Sequence, residues 1–98
     1  MGKVKVPAHL GAAGRKLWED LQLAYGVSDP PGLALLLSAC ESRDRVEAAR
    51  AEIERDGLTQ KDRFGMLRAH PACAVEHQAR SSMIRALVQL NLSPEGTA

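Results

Sequence analysis

The chain has 98 residues, of which 45% are hydrophobic and only 3% aromatic, and its formal net charge is +1. This length is enough for one small domain and not for two. The basic residues lie mostly toward the two ends, around an acidic middle, without a dense basic run. Contact with nucleic acid is therefore allowed by the charge pattern but not required by it.

The number of cysteines and the length of the apolar stretches indicate the cellular compartment of the protein. The two cysteines, Cys40 and Cys73, are too few for a disulfide framework. The N-terminal residues lack the apolar segment of a signal peptide. The longest apolar stretch, Leu33–Leu37, is far shorter than a membrane span. We therefore expect a soluble protein in a reducing compartment.

The first ten residues differ in character from those that follow. Residues 1–10 are expected to form an extended basic arm, because Pro7 disfavours helix at the residue before it. A first helix is predicted over about residues 12–25, where apolar residues recur at three- and four-residue spacing. Gly26 supplies the stop signal at its end.

A long second helix is predicted over about residues 30–56. It follows Asp29, a good N-cap residue that precedes two prolines, and it ends before Gly57. At 1.5 Å per residue this helix is about 40 Å long, whereas a compact chain of this size is about 32–34 Å across. We therefore expect other copies of the chain to cover part of its apolar stripe. The candidate oligomerisation residues are Leu33, Leu36, Leu37, Val46 and Ile53.

The remaining sequence contains one irregular segment and one helix. Residues 57–70 lack a clear period and are predicted to be an irregular loop, with a short extended hairpin as the alternative. A third helix is predicted over about residues 71–90, and residues 91–98 are expected to fray. The predicted fold is therefore a single all-α domain, with a long central helix flanked by two shorter ones, that assembles into an oligomer.

No motif of a catalytic site is present. The sequence lacks the Gly-rich phosphate-binding loop that ends in Lys-Ser or Lys-Thr, so we expect no ATP hydrolysis. His70, Cys73 and His77 have the spacing of zinc ligands, with His9, Cys40 or a carboxylate as the further donor. The alternative, which we prefer, is a His at a helix N-terminus, a small buried Cys and a surface His. We therefore predict no enzyme activity, no catalytic residue, no metal and no cofactor.

Trp18 follows two basic residues, Arg15 and Lys16. This arrangement is compatible with a nucleic-acid patch that contains a stacking ring. A lone Trp in a Leu-rich helix is more often a core residue, and we adopt that interpretation.

Several short motifs follow one another in a characteristic order along residues 7–94. They are Pro7-Ala8-His9-Leu10, Leu17-Trp18 with Leu21, the stretch from Leu33 to Cys40, Gly57-Leu58-Thr59, Gly65, His70-Pro71-Ala72 and Leu90-Asn91-Leu92-Ser93-Pro94. This ordered set resembles the phage terminase small-subunit family of tailed double-stranded DNA phages and prophages. Asn91 stands where family members usually carry Gly. Because Asn tolerates the left-handed conformation, we expect the helix end to be kept.

The resemblance implies a non-enzymatic DNA-packaging protein in the cytoplasm of the bacterial host. Small subunits of this family assemble into rings, engage packaging-site DNA and regulate a large subunit that supplies the motor and nuclease. The implied partners are further copies of the chain, double-stranded viral DNA and the large terminase subunit, with no membrane. The alternative is a helical protein–protein regulatory module without DNA binding. Candidate DNA-binding residues are Lys3, Lys5, Arg15 and Lys16 and, as second choice, Lys61, Arg63 and Arg68.

Overall fold

The structure is a computed structural model, and it describes residues 4–92. Its helices are α1 (Ala12–Tyr25), α2 (Pro30–Asp56) and α3 (Pro71–Leu90). A two-stranded antiparallel ribbon, formed by β1 (Thr59–Lys61) and β2 (Leu67–Ala69), lies between α2 and α3. The three predicted helical spans are thus confirmed. Residues 1–3 of the predicted arm and residues 93–98 of the predicted tail lie outside the described residues.

The prediction of an irregular loop over residues 57–70, and with it the all-α description, requires correction, since these residues take the short hairpin that the sequence also allowed. Asp62 accepts hydrogen bonds from the backbone N–H groups of Phe64 (2.8 Å) and Met66 (3.0 Å), and Gly65 adopts a positive φ of 79°. These residues form a tight turn that brings the flanking strands together, with Thr59 opposite Ala69. Strands of three residues are too short to show a hydrophobic period, so only the turn residues carried a signal.

The helix ends form where the sequence supplies suitable capping residues. Gly26 closes α1 in the left-handed conformation, with φ 60°. The Asp29 carboxylate accepts a hydrogen bond from the Gly32 N–H at 2.9 Å and so caps the start of α2. Asn91 ends α3 with φ 55°, the conformation that glycine would otherwise supply. The expectation that Asn preserves this helix end is confirmed.

The helices α2 and α3 pack side by side in opposite directions along a seam of small residues. The buried positions recur at three- and four-residue spacing on α2 and at seven-residue spacing on α3, as in a heptad seam. They are Ala39, Ser42, Val46 and Ala49 on α2, and Ala72, Ala79 and Ala86 on α3. The small side chains allow the two backbones to approach closely, so α3 is the main cover of the C-terminal half of α2.

The N-terminal half of α2 lies in the core, where all three helices meet. Trp18 from α1 packs with Leu36 and Cys40 from α2, and Leu10 from the arm completes this cluster. The end of α3 reaches the same cluster through Leu90. The prediction that Trp18 is a core residue is confirmed, because only 3% of it is exposed.

A carboxylate from α2 caps the start of α1. Gly11 has no side chain to cap the helix, and Asp44 instead accepts hydrogen bonds from the N–H groups of Gly11 and Gly14, both at 2.7 Å. A Cβ atom at Gly14 would lie 2.5 Å from the Asp44 carboxylate and 2.6 Å from the Cys40 carbonyl oxygen. Only glycine at this position permits the close approach of α1 to α2.

The molecule is elongated, with principal extents of 60 × 27 × 21 Å. Its radius of gyration is 16.6 Å, whereas a compact chain of about 100 residues has a value of about 13 Å. The length comes from α2 and from the ribbon beyond its C-terminal end. None of the described helices is long and apolar enough to cross a membrane.

Candidate functional site

The ribbon at the far end of α2 is the most exposed element of the described chain. Every residue of β1 and β2 is exposed on both faces. An isolated two-stranded ribbon is only marginally stable in water, so its turn needs local support. Asp62 provides it, since its carboxylate also accepts from Arg68 Nε at 3.1 Å. The Met66 N–H and then Arg68 hold the pKa of Asp62 below its usual value.

Three basic side chains that the sequence proposed as DNA contacts lie on this ribbon. Lys61 is exposed and has no ion-pair partner among residues 4–92. The Arg63 guanidinium lies over the exposed Phe64 ring, 5.1 Å from its centroid. Arg68 pairs with Asp62 while its side chain stays 70% exposed. With Asp62 as the only acid between residues 57 and 69, the ribbon has an excess of positive charge.

Large apolar side chains share the ribbon with the basic ones. Phe64 at the turn is 75% exposed, and Leu67 on β2 is 67% exposed. The same holds for Leu58 and Met66. Several large exposed apolar side chains on one short element favour a contact surface over chance exposure. The ribbon therefore has the chemistry of a binding element in which cationic and apolar groups alternate.

A hydrogen-bonded clasp anchors the base of the ribbon. His70 Nδ1 accepts from the Ala72 N–H at 2.9 Å, which caps α3 and requires the ring proton to be on Nε2. That Nε2 lies 2.9 Å from Asp56 Oδ2, so it donates to the carboxylate at the end of α2. Hydrogen bonds from Arg55 first and from His70 second hold the pKa of Asp56 far below its usual range. The clasp fixes the direction in which the ribbon leaves the helices.

The three residues with zinc-ligand spacing take separate roles. Both ring nitrogens of His70 are engaged in the clasp, Cys73 is half-buried and His77 is exposed. Cys40 lies in the core, where burial, followed by Asp44 and Glu41, raises the pKa of its thiol to about 12 and keeps it neutral. Among residues 4–92, no three His, Cys, Asp or Glu side chains are grouped as a metal ion would require.

The N-terminal set of DNA candidates does not join the ribbon. Lys3 lies outside the described residues. Lys5 and Arg15 are exposed, and Lys16 pairs with Asp20 at 3.2 Å within α1. These residues belong to the end of the molecule where α1 covers α2, and the ribbon lies at the other end. The structure thus separates the candidates into two surfaces.

The candidate oligomerisation residues on α2 are buried to different degrees by this chain's own helices. Leu36 and Val46 are completely buried within the single chain, so a second copy cannot reach them in this fold. Leu33, Leu37 and Ile53 are half-buried and keep some exposed surface. The α2 stripe that the sequence assigned to other copies is thus covered within this chain, by α1 and the arm around Leu36 and by α3 along the C-terminal half.

Sequence reasoning missed the exposed apolar residues outside α2. Ile84 and Val88 lie one turn apart on the outer face of α3, with 51% and 69% of their surface exposed. Phe64, Met66 and Leu67 on the ribbon were not singled out either. A signal was present for the ribbon, because three large apolar residues flank a glycine in an otherwise polar segment.

Comparison with known proteins gives a family assignment. The family model of the phage terminase small subunit matches residues 15–98. Searches of curated proteins and of solved structures found no match. The matched region begins at Arg15, the fourth residue of α1, and covers the rest of α1, all of α2, the ribbon and α3.

Proposed function

The chain belongs to the phage terminase small-subunit family, and from this premise we propose the parts of its packaging role that its surfaces support. It assembles into a ring, engages packaging-site DNA and regulates the large terminase subunit, in the cytoplasm of the host cell. It performs these roles without catalysing a reaction itself. Its partners are further copies of the chain, double-stranded DNA and the large subunit.

The observation that carries DNA contact is the projecting basic ribbon. A two-stranded ribbon has a size that the major groove of B-DNA admits. Lys61, Arg63 and Arg68 extend from it into solvent and can neutralise phosphates, with release of the condensed counterions. The ribbon is the primary DNA element of this proposal. Lys5, Arg15 and Lys16, with Lys3 before them, form a second contact at the other end of the molecule.

Assembly is supported by the shape of the chain and by its exposed apolar surface. An elongated molecule of 10.6 kDa exposes large apolar residues on α3 and on the ribbon. A second copy that packs against Ile84 and Val88 would bury two of them. The exposed edges of Leu33, Leu37 and Ile53 add to this surface, while Leu36 and Val46 hold α2 within the subunit.

Salt-dependent DNA binding tests the ribbon. We expect Lys61→Ala and Arg63→Ala each to weaken binding uniformly across DNA sequences and to reduce the slope of log affinity against log salt by about 1. Arg85→Ala, which removes an exposed cation from α3, is the matched control and should leave the slope unchanged. If all three variants show the same DNA affinity and the same salt slope, the ribbon is not the DNA-binding element.

Native mass spectrometry tests assembly, because a ring must give a large multiple of the 10.6 kDa chain. A strict monomer would contradict ring assembly.

The second candidate function, a helical protein–protein regulatory module, is favoured by the exposed apolar side chains of the ribbon. An assembled protein that is not retained on DNA even at low salt would leave this second function standing and remove the first.

A further inference from the structure

The turn at the tip of the ribbon is fixed by hydrogen bonds from both backbone and side chain. The Gly65 N–H donates to the Asp62 carbonyl at 3.0 Å, and the Asp62 N–H donates to the Met66 carbonyl at 2.9 Å. The Asp62 carboxylate accepts from the N–H groups of Phe64 and Met66. Gly65 supplies the positive φ of 79° that the turn needs. The turn therefore presents the two residues at its apex, Arg63 and Phe64, in a defined conformation.

A large apolar ring stands at this apex. Phe64 is 75% exposed, and the Arg63 guanidinium lies over its ring, 5.1 Å from the centroid. An apolar side chain stabilises a fold through the surface that it removes from water, so a ring this exposed contributes little to folding. A defined turn that holds such a ring in solvent is suited to contact with another molecule.

The charges around the ring favour one kind of molecule. Lys61, Arg63 and Arg68 lie within four residues of Phe64 along the chain. The one acid of this segment, Asp62, already pairs with Arg68 at 3.1 Å. Cations beside an exposed aromatic ring suit a polyanion that also offers flat apolar surfaces. Double-stranded DNA has both, with phosphates on its outside and stacked bases inside.

We propose that Phe64 inserts between two neighbouring base pairs of double-stranded DNA and bends the duplex at that point, an inference that rests on the proposed DNA contact of the ribbon. Apolar side chains that act as wedges partly unstack one base step and kink the duplex by about 20–90°. Contacts of the neighbouring cations with phosphates offset the free energy of unstacking. The defined turn favours insertion, because a flexible loop would first lose conformational entropy.

The first test measures bending. Energy transfer between dyes at the two ends of a duplex of about 30 base pairs is recorded with the full chain at saturation. We expect the unaltered protein to raise the transfer. Phe64→Ala should lose most of this rise and bind about ten-fold more weakly, because the stacking contact is lost. Phe64→Trp should keep the bend, since its ring also stacks on bases.

The matched control for this test is Leu58→Ala. Leu58 is 66% exposed, but it lies at the base of the ribbon, and the strand β1 separates it from the turn. This variant also truncates an exposed apolar side chain and keeps every charge of the ribbon. We expect the same bend as in the unaltered protein and an affinity within about two-fold of it.

The second test asks where the ring inserts. TA steps are easily kinked or unstacked, whereas A-tracts are stiff. We expect the unaltered protein to bind a duplex with a central TA step about five-fold more tightly than an A-tract duplex of equal length. Phe64→Ala should bind the two duplexes equally, and Leu58→Ala should keep the preference. A preference that persists in Phe64→Ala would overturn insertion of the ring.

Failure of this inference and failure of the proposed function give different results. If the unaltered protein is not retained on DNA even at low salt, the DNA contact of the ribbon fails and the wedge fails with it. If DNA is bound but the energy transfer does not rise, or rises equally with Phe64→Ala, the wedge alone is overturned. If Phe64→Ala keeps the bend but lowers the native mass of the assembly, the ring packs against protein, and the proposal is again overturned.

Discussion

The two ends of the molecule are constrained by different contacts. At the three-helix end, Trp18, Leu36 and Cys40 are almost completely buried, and Gly14 touches both the side chain of Asp44 and the backbone of Cys40. At the ribbon end, the strands expose both faces, and Phe64 is 75% exposed. The buried residues at the first end are needed to fold the chain, whereas the exposed residues of the ribbon are available to bind other molecules. Substitutions should therefore affect stability at one end and binding at the other.

The largest effect on stability is expected for Gly14→Ala. In most helices this change stabilises by about 0.5–1 kcal/mol, but here the added Cβ would lie 2.6 Å from the Cys40 carbonyl oxygen. We expect α1 to be forced away from α2, with a loss of about 3 kcal/mol in the free energy of unfolding. Urea denaturation at fixed protein concentration measures this loss in the free energy of unfolding. Gly11→Ala is the milder comparison, since its closest atom is a carboxylate oxygen at 3.0 Å.

A smaller effect is expected at the carboxylate that caps α1. Asp44→Ala leaves the N–H groups of Gly11 and Gly14 without an acceptor. We expect a loss of about 2 kcal/mol, and about half of that for Asp44→Asn, which keeps one acceptor oxygen. The same denaturation experiment ranks the two variants. Equal losses would show that charge, rather than the number of accepted hydrogen bonds, determines the effect.

The clasp at the base of the ribbon should give a pH-dependent effect. The pKa of Asp56 lies below its usual value of 3.8, because Arg55 and His70 donate to the ionised carboxylate. A lowered pKa in the folded state means that this contribution is present above pH 3.8 and is lost as the pH falls below it. We therefore expect Asp56→Asn to be less stable than the unaltered protein at pH 7. This difference in stability should become smaller below pH 3.8.

The matched control for this experiment is Glu54→Gln. It removes a carboxylate from the same turn of α2 without removing a hydrogen bond to His70. Denaturation midpoints of all three proteins at several pH values between 7 and 2 give the comparison. If the difference in midpoint between Asp56→Asn and the unaltered protein stays constant down to pH 2, the ionised Asp56 does not contribute to stability.

The smallest effect on stability is expected at the turn of the ribbon. Phe64→Ser removes a ring that is 75% exposed, so the free energy of unfolding should change by no more than about 0.5 kcal/mol. Binding to DNA or assembly should weaken nonetheless, because the ring and the adjacent Arg63 form one surface. A strongly destabilised Phe64→Ser variant would remove the contrast between the two ends.

The helices could be predicted from the sequence because their signals are local. The helix ends lie at Gly26, Asp29 and Gly57. The spacing of the apolar residues between these ends predicts the helices themselves. The sequence allowed a short hairpin over residues 57–70 but did not distinguish it from a loop, since three-residue strands have no readable period. A turn residue such as Asp62 acts through its hydrogen bonds, which composition does not reveal.

The functional surfaces could be predicted only in part. Periodicity correctly placed Leu36 and Val46 on an apolar face of α2, but it does not tell whether that face meets the same chain or another copy. Here the chain covers the face itself, with Trp18 of α1 at Leu36 and with α3 farther along. The alanines at seven-residue spacing on α3 allow close packing, but alanine is common on surfaces as well. The basic residues were found by charge alone. Their division between two ends of the molecule required the fold.

The uninterrupted length of α2 has a mechanical consequence. Its first turns lie in the core beside α1, and its last turn carries the ribbon through the Asp56–His70 clasp. A helix of 27 residues behaves as a rod of about 40 Å. Rotation of about 5° at the core end would move the ribbon sideways by about 3.5 Å, slightly more than the length of a hydrogen bond. A tilt of the α2–α3 pair at the three-helix end would therefore displace the ribbon far enough to make or break contacts there.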